Sequence, residues 1–358
     1  MKTLGIMTLY ETSERTYITA IASQAKHHGY QCFRFIPKNI LPHNNEVNGE
    51  LFNEETEQWE STVFPLPELL YDRCFYQEDD HSKKCKVITN WLKKSGKTQF
   101  LGQGLPNKLE IYDALKHSRL APYLLQSDPF TSAKSFIKQL KKQSPLVLKP
   151  VNGSQGVGIY VISIEGDSMI IKTDKGSKQI QQTLPIHKAT VWLERLTKRY
   201  QYLIQPFLLL VDEQNRPFDL RVFLQKDAKG EWQEQARAMR TGHENGIISN
   251  LSAGGTTSSY EHWLDSIPKN QKSFLQEELK EILIILPSIM ESCFSTLFEL
   301  GIDIGIDQEG GIWILDINSK PGRKLVLQTN PQLANVLYTS PFKYGDYLLS
   351  QRAIAERK

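Results

Sequence analysis

The stretch from Glu299 to Gly322 carries three oxygen-bearing side chains at spacings that suit a metal site. Alternating apolar and polar residues, a Gly-Gly reversal and a second apolar run predict two strands joined by a tight turn. Asp303 lies on the first strand, while Asp316 and Asn318 share one face of the second. Two carboxylates and an amide are hard oxygen donors that suit magnesium bound to phosphate oxygens. A buried hairpin with a polar rim explains this stretch equally well.

A glycine-rich segment, residues 152–158, is the second candidate for chemistry. It follows a predicted strand at 146–148 that ends at Lys149, and a further strand is predicted at 159–162. Such a turn lets backbone N–H groups approach an anion without side-chain obstruction. Walker and Rossmann loops both open a helix, so this segment would cover a triphosphate in another way. Taken alone, it fits an ordinary glycine-rich hairpin as well.

Two predicted antiparallel strands, 219–227 and 231–241, add charged side chains to this set. Asp219 and Arg221 share a face of the first strand because they are two residues apart. Arg237 and Arg240 point to opposite sides of the second strand, so one can face a ligand while the other is solvated. The glycine- and hydroxyl-rich segment at 250–259 fits a lid or phosphate loop and an ordinary surface loop equally well.

The predicted strands and helices around these residues alternate along the chain, which predicts an α/β protein. The segment 37–67 is polar and is expected to be irregular, with a hairpin near 59–64 as an alternative. Asp72-Arg73 ends a strand at 69–74 and is expected to form a surface ion pair, with a position facing a cleft as the alternative. A long helix begins at Pro268, with a kink or break at Pro287. Further strands are predicted at 3–10, 32–37, 98–101 and 202–211, a hairpin at 168–182, and helices at 13–28, 81–95, 107–117, 132–142, 185–198 and 331–350.

Composition limits the classes of protein to consider. A chain of 358 residues suits two or three packed subdomains, and 40% hydrophobic with 23% charged residues is typical of soluble globular proteins. A net charge of +3 gives no case for nucleic acid or membrane binding. The four cysteines lie far apart, which predicts neither a zinc site nor disulfides. Without a signal-peptide core or a membrane window, the protein is predicted to be cytoplasmic.

The order and spacing of the motifs resemble the ATP-grasp superfamily over about residues 106–322. GSQGVG, QPF, DLRVF, NLSAGG and LDINSKPG are most similar to ligases that add glutamate to a ribosomal protein. With PLPELLYDR and PNKLEIYDAL, the whole chain resembles the spore-coat-associated YheC/YheD group. The resemblance implies an α/β (α+β) ATP-grasp fold with two α+β subdomains clasping ATP. It implies a pre-ATP-grasp-like domain at 1–104, a subdomain with the phosphate loop at 105–206 and a subdomain with the metal site at 207–358.

The resemblance also implies roles for individual residues. Nucleotide binding falls to Lys108, Lys149, the loop residues Gly153, Ser154, Gln155 and Gly156, the hinge residues Gln205, Pro206 and Phe207, and Asp219, which would hold the ribose hydroxyls. Catalysis near the reacting phosphate and acyl group falls to Arg221, Arg240 and Asn250, and magnesium, with manganese as an alternative, falls to Asp303, Asp316 and Asn318.

Three positions depart from the family pattern. The hinge has Pro206 where many relatives have Glu or Lys; proline keeps its carbonyl as an acceptor, and Leu208 can donate its N–H. Glutamate-adding relatives place an arginine where this chain has Ile248, which puts their phosphate clamp and substrate specificity in doubt here. The usual metal-binding glutamate is shortened to Asp316, a milder change.

The function that the resemblance implies is an ATP- and Mg-dependent carboxylate–amine ligase that forms an acyl phosphate. Its partners would be ATP, a carboxylate and an amine, with a spore-coat peptide or protein as a candidate substrate and neither nucleic acid nor membrane. A phosphotransferase of the same fold is one alternative. The other is a structural spore-coat protein that binds ATP with little turnover, found in the cytoplasm or with the spore coat.

Overall fold

Three β-sheets organise the described part of the chain, which in this computed structural model comprises residues 1–153, 156–249 and 255–357. Each sheet is built from one continuous portion of the sequence, and helices cover it. Within these ranges no helix has the length and apolar composition needed to cross a bilayer. The predicted domain boundaries at residues 104 and 206 stay a prediction.

The first sheet has a parallel centre, because β1 pairs with both β2 and β6 in parallel register. Its strand order is β3-β4-β2-β1-β6-β7, and β5 pairs with the outer side of β4. Two helices accompany it. The elements are β1 (Lys2–Met7), α1 (Arg15–Ala22), β2 (Tyr30–Phe35), β3 (Ile40–Leu41), β4 (Glu46–Asn53), β5 (Gln58–Pro65), β6 (Leu69–Asp72), α2 (Asp80–Ser95) and β7 (Gln99–Phe100).

The expectation of an irregular segment at 37–67 is wrong. Strands β4 and β5 form a hairpin that is paired from Glu46 and Pro65 to Asn53 and Gln58. The alternative hairpin placed near 59–64 covers only its second strand. Most of β5 is exposed, and Glu60, Ser61 and Thr62 separate Trp59 from its other apolar residues, so the apolar alternation that signals a strand is missing there.

The second sheet is antiparallel and has the strand order β12-β11-β10-β9-β13-β8. Helices α4 and α5 pack on one of its faces through Phe136, Leu140 and Leu193, which meet Leu148 on β9. Lys149 follows Leu148 and therefore points away from these helices. The elements are α3 (Lys108–Leu115), β8 (Asp128–Pro129), α4 (Ala133–Lys142), β9 (Leu146–Pro150), β10 (Tyr160–Glu165), β11 (Ser168–Lys175), β12 (Lys178–Pro185), α5 (Ile186–Arg199) and β13 (Tyr202–Pro206).

The third sheet is also antiparallel, with the order β16-β15-β14-β17-β18. Its apolar face is built from alternate residues of β17, Ile302, Ile304 and Ile306, and helix α7 packs on it through Leu279 and Leu286. The elements are β14 (Phe218–Lys226), β15 (Trp232–Thr241), β16 (Thr256–Ser258), α6 (Tyr260–Asp265), α7 (Lys269–Cys293), β17 (Glu299–Ile306), β18 (Ile312–Asn318), α8 (Lys324–Thr329) and α9 (Ala334–Ala355).

Helix α7 runs without interruption through Pro287, so a break at this residue is wrong, and the kink that was the alternative stays a prediction. Pro287 is buried, as are Leu286 before it and Met290 one turn later. Proline removes one helical hydrogen bond. Here the apolar residues on both sides of it belong to the same core, and their packing keeps the helix continuous.

The hairpin predicted at 299–322 is present as β17 and β18, and Asp307 fixes the turn between them. Its Oδ1 accepts from the backbone N–H groups of Glu309, at 3.0 Å, and Gly311, at 2.7 Å. Its Oδ2 accepts from the indole N–H of Trp313 at 2.8 Å. Gly310 has a φ of 84°, a left-handed conformation that glycine adopts without strain.

Candidate active site

Cross-strand pairing in the third sheet places five of the predicted site residues side by side. Asp219 on β14 is opposite Arg240 on β15, and Arg221 on β14 is opposite Asp303 on β17. Asp303 is in turn opposite Asp316 on β18. Side chains directly opposite each other on neighbouring strands lie about 5 Å apart and interact. The sheet thus gathers two arginines and three carboxylates that are distant in sequence.

Arg240 links two of these carboxylates. Its guanidinium donates to both carboxylate oxygens of Asp219, at 2.7 and 2.6 Å, and forms an ion pair with Oδ1 of Asp303 at 2.9 Å. The Ser249 hydroxyl donates to the same Asp219 carboxylate at 2.6 Å. Burial would lower the pKa of Arg240, but the charges of Asp219 and Asp303 outweigh it and raise the pKa. Asp219 therefore holds Arg240 in place here, and its expected ribose contact stays a prediction.

Asp303 is a stable anion in this site. Burial would raise the pKa of its carboxyl, but Arg221 and Arg240 outweigh burial and lower the pKa to about 2. The Arg221 guanidinium contacts the same carboxylate oxygen as Arg240 does. A carboxylate that stays ionised at every physiological pH is suited to bind a cation.

Gly301 makes room for the Arg221 guanidinium. A Cβ built at Gly301 would lie 2.6 Å from Nη2 of Arg221 and 2.7 Å from Cβ of Pro321. Any side chain at this position would therefore displace the arginine or the proline. Sequence reasoning missed Gly301, although a glycine inside a strand is a known sign of close approach by another group.

Lys108 lies against the second predicted metal ligand. Its ammonium donates to Oδ1 of Asp316, and the Asn318 amide donates to Oδ2 of the same carboxylate at 3.4 Å. Lys108 begins helix α3, whose first turn is capped by the Asn107 side chain. The lysine that the family pattern assigns to the nucleotide thus lies at the candidate metal site.

Lys149 projects from β9 of the second sheet, and the charges of Asp316 and Lys108 affect the pKa of its ammonium. Burial lowers the pKa of its ammonium to about 8, and Lys108 adds to this effect, whereas Asp316 opposes it. Lys149 and the row of carboxylates therefore interact across the space between the second and third sheets.

The predicted hinge residues lie at the end of β13, the strand next to β9. The Gln205 amide donates to the Ser127 hydroxyl at 2.8 Å, and Pro206 ends β13. The N–H of Phe207 donates to the Pro145 carbonyl at 3.3 Å.

The glycine loop begins directly after β9. A Cβ at Gly153 would lie 3.2 Å from Cβ of Pro150, and Gly156 has a φ of 72°, which favours glycine. Ser154, Gln155 and Asn250 lie outside the described residues.

The donor set of the hairpin fits magnesium by its chemistry. Asp303, Asp316 and Asn318 offer two carboxylates and one amide oxygen, and the carboxylates are already in contact with cationic side chains. These contacts indicate that positive charge is favourable at this point. In the described ranges no group of three or more His, Cys, Asp or Glu side chains is placed to hold a metal, so the amide is needed to complete a three-residue set.

The expected surface ion pair of Asp72 and Arg73 is wrong. Both side chains are buried, and they make separate contacts. Asp72 binds Lys320 at 2.7 Å, whereas Arg73 binds Glu14 at 2.7 Å and Glu299 at 3.3 Å. Both residues therefore join the first sheet to the β17–β18 hairpin. No local sequence pattern indicates partners this distant.

A buried cluster extends from this junction. Arg323 contacts both Glu299 and the Tyr71 hydroxyl, and the Gln225 amide donates to Glu299 at 2.9 Å. Glu299 lies four residues before Asp303 on the same strand, so the cluster anchors the start of the strand that carries a predicted metal ligand.

The architecture of the chain is similar to that of solved ATP-grasp proteins. D-alanyl-alanine synthetase A from Vibrio cholerae matches 97% of this chain and 99% of its own, with a TM-score of 0.58 and 14% identity. A RiPP-associated ATP-grasp ligase from Chryseobacterium gregarium matches 97% of each chain, with a TM-score of 0.53 and 11% identity. At such low identities these similarities establish the fold alone.

The chain belongs to the YheC/D-like ATP-grasp family, whose model matches residues 97–348. It is 36% identical to the endospore coat-associated protein YheC of Bacillus subtilis (strain 168), over 99% of this chain and 98% of that protein. It is 28% identical to the endospore coat-associated protein YheD of the same organism, over 91% of this chain and 72% of that protein. The predicted family and the predicted α/β (α+β) ATP-grasp fold are thus confirmed. ATP-grasp enzymes are ATP-dependent ligases that generally use Mg²⁺.

Proposed function

We propose that this protein is an ATP- and Mg-dependent carboxylate–amine ligase that acts through an acyl phosphate. The observation that carries the proposal is the row of Asp219, Arg240, Asp303 and Arg221 in the third sheet, with Lys149 across from it. The row provides fixed charges of both signs, as transfer of a phosphoryl group requires.

In this proposal the second and third sheets clasp ATP, and each predicted residue keeps its role. Lys149 and the glycine loop bind the phosphates, and the hinge at 205–207 binds adenine. Asp303, Asp316 and Asn318 would hold the metal. Bound magnesium neutralises charge on the phosphoryl oxygens. Lys108 contacts Asp316 here, and its ammonium would turn to the phosphates when a metal binds that carboxylate.

The proposed chemistry has two steps. A carboxylate oxygen of the substrate attacks the γ-phosphorus, the bond to the β–γ bridging oxygen breaks, and ADP leaves with the electron pair. An amine nitrogen then attacks the acyl carbon, phosphate departs, and the nitrogen loses a proton to give an amide. Arg221 and Arg240 supply positive charge for the oxygens on which charge develops, and their carboxylate contacts hold them in position beforehand.

Trapping with hydroxylamine tests the reaction class. The protein is incubated with Mg-ATP, hydroxylamine and pools of amino acids and peptides, and the products are read by mass spectrometry with ADP release. A ligase yields a hydroxamate, because hydroxylamine intercepts the acyl phosphate. A stable phosphorylated product would instead establish a phosphotransferase.

A structural coat protein that binds ATP with little turnover is the second candidate. Ile248 favours it, because the glutamate-adding relatives have an arginine at this position and isoleucine cannot bind phosphate. The names of the two Bacillus subtilis relatives support association with the endospore coat, and a cytoplasmic location remains part of this proposal. Nucleotide binding without ADP release in any substrate pool would support this candidate and refute the ligase.

We also propose the division into domains at 1–104, 105–206 and 207–358. Each range contains one of the three sheets, which supports it. The partners would be ATP, a carboxylate and an amine. A peptide or coat protein is the candidate substrate class, since a ligase solved with leader and core peptides has the same fold.

A further inference from the structure

A single buried carboxylate connects the hairpin of the second sheet to the third sheet. Asp174 lies near the end of β11, and its side chain is 2% exposed. Its Oδ2 accepts from the backbone N–H groups of Ile247, at 2.8 Å, and Ile248, at 3.1 Å. On the neighbouring strand β12, the Gln179 amide donates to the Asn245 carbonyl. Side chains of the β11–β12 hairpin therefore bind backbone groups of the segment 242–249.

The segment 242–249 is itself fixed to the third sheet. The N–H of Gly242 donates to the Pro217 carbonyl at 2.8 Å, and the Asn215 amide donates to the Asn245 side chain at 2.9 Å. A Cβ at Gly242 would lie 2.3 Å from the Ile248 carbonyl oxygen, so the segment folds tightly back on itself. Asp174 thus contacts a compact structure whose position the third sheet determines.

The end of this segment reaches the candidate active site. Ser249 follows the two amides that Asp174 binds, and its hydroxyl donates to Asp219 at 2.6 Å. Asp219 in turn holds Arg240, which contacts Asp303. A path of hydrogen bonds, one stretch of backbone and an ion pair therefore leads from the β11–β12 hairpin to a predicted metal ligand.

The second oxygen of Asp174 points to a histidine. Oδ1 lies 3.7 Å from Nε2 of His243, and neither atom has a hydrogen-bond partner within the part of the chain that the structure describes. The other ring nitrogen of His243 lies 3.1 Å from the Glu244 carbonyl, so it carries a proton there. Asparagine at position 174 could accept from the backbone N–H groups of Ile247 and Ile248 through its amide oxygen. Its amide nitrogen could donate to Nε2 of His243.

We propose that Asp174 is a positioning residue that latches the β11–β12 hairpin onto the segment 242–249. The latch holds Ser249 against Asp219 and keeps the two halves of the nucleotide cleft together. This inference rests on the proposed function, because it assumes that ATP is bound between the second and third sheets. Removing the carboxylate leaves two backbone N–H groups without their acceptor. The hairpin then separates more readily, and bound nucleotide leaves faster.

The test compares the full-length protein with Asp174→Ala, Asp174→Asn and the matched control Glu165→Ala. Glu165 is an exposed carboxylate at the end of β10 in the same sheet. Stopped-flow dissociation of a fluorescent ATP analogue with Mg²⁺ gives the release rate. Asp174→Ala is expected to release nucleotide about tenfold faster, the equivalent of one net hydrogen bond. Asp174→Asn and Glu165→Ala are expected to stay near the wild-type rate, since neither loses an acceptor for the two amides.

Amide hydrogen exchange without nucleotide tests the latch separately from the proposed function. The N–H groups of Ile247 and Ile248 are expected to exchange slowly in the wild type and at least tenfold faster in Asp174→Ala. Fast exchange of both amides in the wild type would overturn the latch, even if Asp174→Ala failed to fold. If folded Asp174→Ala releases nucleotide at the wild-type rate, Asp174 does not help to retain bound nucleotide. If the wild type does not bind Mg-ATP, the proposed function is refuted. The hydrogen-exchange measurement still tests the latch in that case, because it uses no nucleotide.

Discussion

The charge on Lys149 is expected to make nucleotide binding depend on pH in a range where ATP itself no longer titrates. Burial lowers the pKa of this lysine from 10.5 to about 8 in the nucleotide-free protein. At pH 8 about half of the molecules therefore carry a neutral Lys149, and at pH 9 about nine in ten do. Phosphate groups stabilise the ammonium form, so bound Mg-ATP raises the pKa again. Binding at pH 8 is then expected to take up about 0.5 proton per molecule.

Calorimetry of Mg-ATP binding in buffers of different ionisation enthalpy measures this uptake. The wild type is expected to take up about 0.5 proton at pH 8 and less than about 0.1 at pH 7, with affinity falling as pH rises above 8. Lys149→Arg is the control, because arginine stays charged over this range. Zero uptake by the wild type at pH 8, or unchanged uptake by Lys149→Arg, would refute the reasoning.

The lowered pKa of Lys149 also makes the folding stability depend on pH. A lysine with a lowered pKa binds fewer protons in the folded state than in the unfolded state between pH 8 and its usual 10.5. The folded protein is therefore destabilised by Lys149 below pH 8, and this effect is relieved as pH rises toward 10.5. The free energy of unfolding of the wild type is expected to rise over that range relative to Lys149→Met.

Three substitutions test other parts of the site. Asp316→Ala should lower ADP formation by ~10²–10³ and leave the melting temperature unchanged, because it removes one fixed charge from the reacting groups; normal turnover would refute the assigned metal site. Gly301→Ala should destabilise the protein by about 1–3 kcal/mol in urea unfolding, because the new methyl group meets the Arg221 guanidinium. Arg73→Ala should cost about 3–5 kcal/mol in the same assay, because it leaves the buried charge of Glu299 with one cation fewer.

Controls for these substitutions come from the surface. Arg119→Ala removes an exposed arginine paired with Glu281 and should cost about 0–1 kcal/mol, against which Arg73→Ala is compared. Asp113→Ala removes an exposed carboxylate of α3 and should leave ADP formation unchanged. Equal losses for Arg73→Ala and Arg119→Ala would contradict the importance of the buried junction.

Elements with local signals could be predicted from the order of the amino acids alone. The period-two pattern before Gly310 and the apolar run after it predict the β17–β18 hairpin. The glycines after β9 predict a turn, since their backbone conformations exclude most other residues. The order of these motifs was enough to predict the family. Strand β4 escaped detection, because only Val47, Leu51 and Phe52 among its eight residues are apolar.

Which charged side chains meet depends on how the sheets pack and could not be predicted from local patterns. Arg73 and Glu299 are 226 residues apart, and Asp174 binds amides 73 and 74 residues away. Such partners leave no periodic signal, because their side chains meet only after separate sheets have packed. For the same reason the sequence allowed either Arg237 or Arg240 to face the site. Packing buries Arg240 between two carboxylates and leaves Arg237 with Glu234 on the other side of the strand.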